Sequence, residues 1–245
     1  MTEFKGNQIQ ENSLGLYDIS SKDIEIQEYT QKYTYVSIKD EYKKSFFYSF
    51  IKRTIDIVCS FLGIVILLPI MILIAIAIKL DSKGKVIFSQ ERVGLNGKVF
   101  KMYKFRSMVT DAEKLLDKLK DKNEMTGPMF KMKDDPRITR VGKFIRKTSL
   151  DELPQLFNVL KGEMSLVGPR PNLPREVLKF NEYQRTKLIV KPGLTCYWQV
   201  MGRNNIDFDD WIKLDIKYIK ERNTLLDLKL IFKTLSVFFG DEGAM

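Results

Sequence analysis

Apolar and polar positions divide this chain sharply. Ile57–Ile78 is a run of 22 residues without a charge, IVCSFLGIVILLPIMILIAIAI. As a helix, such a run is long enough for a bilayer, which needs about 20 apolar residues. A soluble core helix rarely needs to be apolar on every face. Pro69 lies near the middle of the run, removes a backbone donor, and predicts a kink or break. Basic residues flank both ends: Lys43, Lys44, Lys52 and Arg53 before, Lys79, Lys83 and Lys85 after. The positive-inside rule cannot orient a spanning helix with such flanks. A re-entrant hairpin bent at Pro69 returns both ends to the cytoplasmic face and removes the conflict. A simple span stays open.

Beyond the run the pattern is that of a soluble domain. Val86–Gln90 and Val99–Lys104 read as short strands around a turn at Gly94-Leu95-Asn96-Gly97. Thr110–Asp121 reads as an amphipathic helix, with Thr110 and Glu113 as a capping box. Another helix should start near Asp151, with Pro154 in its first turn, and stop at Gly162. Helices are expected near Asp209–Arg222 and Leu226–Phe239. The second puts Leu228, Phe232, Leu235 and Phe239 on one apolar face, either core or membrane interface. The fold class is therefore α+β and mainly helical: a small catalytic domain (80–245) on a membrane element (51–79). Residues 1–50 show no sustained period and read as a loosely ordered extension.

Composition changes this picture in two ways. The formal net charge is +10, from 41 basic and 31 acidic residues. Much of the excess falls in Gln90–Lys147, with sixteen basic and eight acidic residues. That charge suits nucleic acid, anionic lipid or a phosphorylated substrate. Histidine is absent, which excludes His-based triads, His metal ligands and a His general base. Two cysteines, Cys59 and Cys196, imply no disulfide framework.

The candidate chemistry centres on Arg146-Lys147-Thr148-Ser149-Leu150-Asp151-Glu152-Leu153-Pro154. One reading is helix capping, with Ser149 and Glu152 as a capping box. The other is catalytic. A helix N-terminus holds a nearby carboxylate ionised, and an ionised carboxylate can attack phosphorus. Its neighbour can ligate Mg²⁺, a hard cation that takes carboxylate and phosphate oxygens. In Lys104-Phe105-Arg106-Ser107-Met108 an extended backbone puts Lys104 and Arg106 on one side. Val167-Gly168-Pro169-Arg170-Pro171 holds Arg170 in a stiff turn suited to phosphate. Pro192-Gly193-Leu194-Thr195 and Gly202-Arg203-Asn204 offer Thr195 and Arg203 as further substrate contacts.

Seven segments resemble, in this order, the bacterial sugar transferase family of monotopic polyprenyl-phosphate phosphoglycosyl transferases. They are Lys52-Arg53-Thr54-Ile55-Asp56, Gln90-Glu91-Arg92-Val93-Gly94, Lys104–Met108, Asp135–Gly142, Ser149–Gln155, Gly168-Pro169-Arg170-Pro171 and Lys191–Thr195. The resemblance runs from Lys52 to the C-terminus. It implies that Asp151 is the nucleophile, attacking the β-phosphorus of a UDP-sugar, releasing UMP and holding a phosphosugar covalently. Polyprenyl (undecaprenyl) phosphate would then take the phosphosugar. Glu152 would help hold Mg²⁺, and Lys104, Arg146 and Arg170 would lie near the phosphates. The family's membrane helix is re-entrant and commonly broken at Ser-Pro; here the pair is Leu68-Pro69. The resemblance places the chain on the cytoplasmic face of the inner membrane, in exopolysaccharide, capsule or glycoconjugate synthesis. Its partners would be UDP-sugar, polyprenyl phosphate and membrane lipid, not nucleic acid, with a homo-oligomer left open. The residues alone leave two alternatives. One is a basic membrane-anchored interaction protein without catalysis. The other is an ordinary glycosyltransferase, which would release UDP.

Overall fold

In a computed structural model, the structure describes residues 42, 44–116, 119, 132, 134–200 and 207–238. The apolar run lies inside one long helix, α1 (Phe46–Asp81). Ser45 caps its start by accepting from Tyr48 N, and Lys79 sits favourably in its last turn. The helix continues through Pro69, where the sequence predicted a kink or break. Proline removes a single donor, and a bend can absorb the clash without ending the helix. At 36 residues, α1 is roughly 54 Å long if straight, against about 30 Å of bilayer hydrocarbon.

One side of α1 packs along the rest of the molecule. Arg53 donates to Val159 O and Leu160 O, both at 2.8 Å. The Asp56 carboxylate accepts from Ser165 Oγ and Leu166 N. Further along, Met71, Ile74 and Ile78 are buried with Phe105, Ile145 and Leu153. At the far end, Asp81 accepts from Val141 N. The other side is apolar and exposed, including Phe61, Val65, Ile66, Leu73 and Leu80.

The hairpin β1 (Ile87–Val93) and β2 (Val99–Phe105) is antiparallel, with Phe88 opposite Lys104. Its turn forms at the expected residues, with Asn96 and Gly97 at positive φ. Helix α2 (Ala112–Leu116) covers part of the expected Thr110–Asp121 helix; the Glu113 side chain and residues 117, 118, 120 and 121 lie outside the described residues. Helix α3 (Arg140–Lys147), capped by Thr139, was not anticipated. A 3-10 turn at Leu150–Glu152 leads into α4 (Gln155–Lys161). That helix ends at Gly162, which takes the left-handed conformation at φ 87°.

Strand β3 (Ser165–Val167) pairs in parallel with β4 (Gly193–Thr195). Between them lie the short helices α5 (Pro174–Val177) and α6 (Glu182–Arg185). Helices α7 (Tyr197–Val200), α8 (Phe208–Glu221) and α9 (Thr224–Phe238) complete the domain. On α9 the core side carries Leu230 and Asp227, while Phe232 is 67% exposed. Of the expected apolar face, Phe232 looks outward and Leu228 is half-buried, while the Leu235 side chain and Phe239 lie outside the described residues.

Candidate active site

Strand β2 carries Lys104 to the carboxylate pair. Lys104 Nζ donates to Glu152 Oε1 at 2.7 Å and stands 3.6 Å from Asp151 Oδ2. Arg170 Nη1 is 3.7 Å from the same Glu152 oxygen. Of these side chains, Glu152 and Arg170 line a cleft with Gln155, Gly193 and Gln199. Asp151, 7% exposed, lies in the 3-10 turn one step before α4, not at the helix start the sequence suggested. The Ser149 side chain makes no cap bond, and Ser149 adopts a left-handed φ of 55°. The capping-box reading of Ser149 and Glu152 therefore gives way to an ion-paired Glu152.

The electrostatics oppose one another. Burial, foremost, and then the Glu152 charge push the Asp151 carboxyl above its ordinary range. Lys104, then Arg146 and Arg170, pull it back without cancelling the rise. Arg146 is an exposed cation in the last turn of α3.

Arg170 is held from several directions. Gly168 and Gly193 approach so closely that a Cβ on either would meet backbone atoms of the other segment. Gly193 N donates to Pro169 O, and Arg92 Nη1 donates to Pro171 O at 3.1 Å. The Arg170 guanidinium stands over the Trp198 ring, 5.4 Å from its centre. Behind the turn, Lys52 of α1 donates to Val167 O, Tyr218 Oη and Asp227 Oδ2. A loop rich in Gly and Pro thus becomes a fixed mount.

Lys104, Asp151, Glu152 and Arg170 are brought together as expected, with Arg146 near enough for its charge to act on Asp151. Two expected contacts are not. Arg106 bonds the end of α1 and the loop between α1 and β1: its guanidinium donates to Ser82 O at 2.7 Å, Lys85 O at 2.8 Å and Ile78 O at 3.4 Å. Carbonyls at and just beyond the helix end claim a charge that sequence spacing had assigned to phosphate. Thr195 is buried, and its hydroxyl pairs with Thr234 Oγ1 of α9 at 2.6 Å. Arg203 lies outside the described residues.

Sequence reasoning missed the role of Arg92, although it stands in a quoted motif. Burial and the adjacent Arg170 charge push its guanidinium down to about 10. It also missed the ion pair of Lys187 and Asp215, 2.6 Å apart and almost wholly buried. The available signal was a charge in the apolar stripe Ile212, Ile216, Ile219 of α8.

A family model described as bacterial sugar transferase matches residues 47–241. The chain is 52% identical over 194 residues to "Galactosyl transferase CpsE" of Streptococcus agalactiae, covering 79% of this chain and 43% of that protein. It is 46% identical over 199 residues to "Undecaprenyl-phosphate galactose phosphotransferase" of Salmonella typhimurium, covering 80% and 42%. It is 37% identical over 197 residues to "Exopolysaccharide production protein ExoY" of Sinorhizobium fredii, covering 79% and 87%. The chain thus spans under half the length of the first two relatives and most of the third.

Proposed function

Because the chain belongs to the bacterial sugar transferase family, we propose that it moves a sugar 1-phosphate from a UDP-sugar to undecaprenyl phosphate. The observation that carries this reading is the clustering of Lys104 and Arg170 about the Asp151–Glu152 pair, beside a cleft that Glu152 and Arg170 line. Relatives named as a galactose phosphotransferase and an exopolysaccharide production protein support it.

In this mechanism the ionised Asp151 carboxylate attacks the β-phosphorus. The bond from that phosphorus to the oxygen bridging the two phosphates breaks, and UMP leaves with its electron pair. An oxygen of undecaprenyl phosphate then attacks the phosphorus of the aspartyl adduct, freeing Asp151. Lys104, Arg146 and Arg170 oppose the burial that favours the protonated acid, and they face charge that develops on the phosphate. No group of three or more His, Cys, Asp or Glu ligands occurs among the described residues. A hard carboxylate suits Mg²⁺, which would be held together with the substrate phosphates. Glu152 is the ligand assigned here, and the ion would supply further charge neutralisation; loss of activity in EDTA and return with Mg²⁺ is the check.

The membrane reading rests on α1. Both flanks of the apolar run pack on one domain, while the opposite side is exposed and apolar. That supports a re-entrant placement at the cytoplasmic face of the inner membrane, with the outward face of α9 in the interface. Cysteines placed at Lys44 and Lys83 should label from the same side; labelling from opposite sides rejects it.

Intact-protein mass spectrometry tests the reaction. With UDP-sugar and no acceptor, the protein should gain one phosphosugar on Asp151 and release UMP. Release of UDP, or no added mass, rejects the mechanism.

A further inference from the structure

The cleft contains a polar group that the reaction above does not use. Gln155 lies in the first turn of α4, four residues after Asp151. It is 3% exposed and lines the cleft beside Glu152 and Arg170. Its carboxamide makes no hydrogen bond among the described residues.

Asn158, on the same helix, provides the contrast. It is 0% exposed, and its carboxamide is fully engaged. It donates to Lys101 O and Glu163 Oε2, both at 2.7 Å, and accepts from Tyr103 N at 3.0 Å. Buried amides are normally satisfied in this way. As a residue Gln155 is nearly as buried, but its amide lines the cleft, where its bonding capacity is open to a group that enters.

A neutral carboxamide offers two donors and one acceptor oxygen. That suits hydroxyl groups, whereas Lys104 and Arg170 already face the phosphates. Position then selects the hydroxyl. In an in-line displacement the leaving group lies opposite the nucleophile. UMP, and its ribose and base, are therefore carried away from Asp151. The sugar ring stays attached through an oxygen beside the attack axis. Gln155 shares its short segment of chain with Asp151.

We propose that Gln155 hydrogen-bonds a hydroxyl of the donor's sugar ring and holds the ring while the β-phosphorus is attacked. This rests on the reaction proposed above. Gln155→Met keeps the length of the side chain and removes its hydrogen bonding. Binding of UDP, UDP-galactose and UDP-glucose to the purified full chain is measured by calorimetry, beside the thermal midpoint. The variant should bind the preferred nucleotide sugar about 10-fold more weakly, the equivalent of one hydrogen bond. Its affinity for UDP should be unchanged. Its midpoint should not fall, because the lost amide has no partner among the described residues. Gln155→Ala repeats the measurement if Met packs badly.

Equal losses for UDP and for the nucleotide sugar would overturn the proposal, assigning Gln155 to uridine or phosphate. Unchanged affinity for both would overturn it too, as would wild-type protein that binds neither sugar nucleotide better than UDP. UMP release, followed in parallel, separates the two claims. A nucleotide sugar that binds through Gln155 but yields no UMP rejects the reaction and leaves the contact standing.

Discussion

Two of this domain's lysine–carboxylate clusters resemble each other closely at first. Lys187 meets Asp215 at 2.6 Å, and Lys104 meets Glu152 at 2.7 Å beside Asp151. Burial is the largest influence on both aspartates, raising each above the usual carboxylate range, and its lysine is the first opposing charge. The difference lies in what remains when the aspartate charge is removed. Lys187 would be left buried with its acid gone, whereas Lys104 would keep Glu152. One cluster is closed and serves the fold. The other holds surplus charge at the mouth of a cleft, where a phosphate can exchange with it.

The largest expected effect breaks the open cluster. Asp151→Asn should cut turnover by several orders of magnitude, on the order of losses seen when other covalent nucleophiles are removed. UMP release per folded molecule measures it, and turnover near that of wild type would pass the nucleophile's role to Glu152. The same substitution in the closed cluster should act on the fold instead. Asp215→Asn strands Lys187 and should cost about 3–5 kcal/mol, read as a fall in denaturation midpoint. Turnover per folded molecule should stay within a few-fold of wild type. An unchanged midpoint would erase the distinction between the clusters.

A pH series sharpens the comparison. The folded-state pKa of Asp151 is raised from the ordinary 3.8, so the folded protein holds this proton more tightly than the unfolded chain. Below 3.8 both states are protonated, and Asp151→Asn should match wild type in stability. As pH climbs above 3.8 wild type should lose stability relative to the variant, until the folded-state pKa is passed. Catalysis would thus be retained at the expense of stability, and a variant less stable than wild type at neutral pH would contradict that. The smallest effect belongs to Thr195→Val. Losing the hydroxyl pair with Thr234 should lower stability by about 1 kcal/mol and leave donor KM unchanged. A raised KM would restore Thr195 to the substrate contacts.

Much of the site was legible because its signals are local. The hairpin turn, the stop at Gly162 and the acidic pair Asp151–Glu152 each lie within a few residues of chain. What escaped depends on distant partners. Strands β3 and β4 are three residues each, too short to show alternation, and they meet only because Gly168 and Gly193 lack side chains. Helix α3 is eight residues long, with a glycine that packs against Ser107. Arg106 was misread because the strand's alternation said nothing about the end of α1. Burial of Lys187 with Asp215 brings together residues 28 apart, a pairing that no spacing rule specifies.

The fastening of α1 has a mechanical consequence. Arg53 and Asp56 latch one end of the helix to the domain, and Asp81 and Arg106 latch the other. A helix pinned at both ends cannot tilt by itself. If it lies in lipid, any change of tilt turns the whole domain with it, and the cleft changes its height and angle above the headgroups. Bilayer thickness then becomes a setting that reaches Asp151 without any ligand binding there.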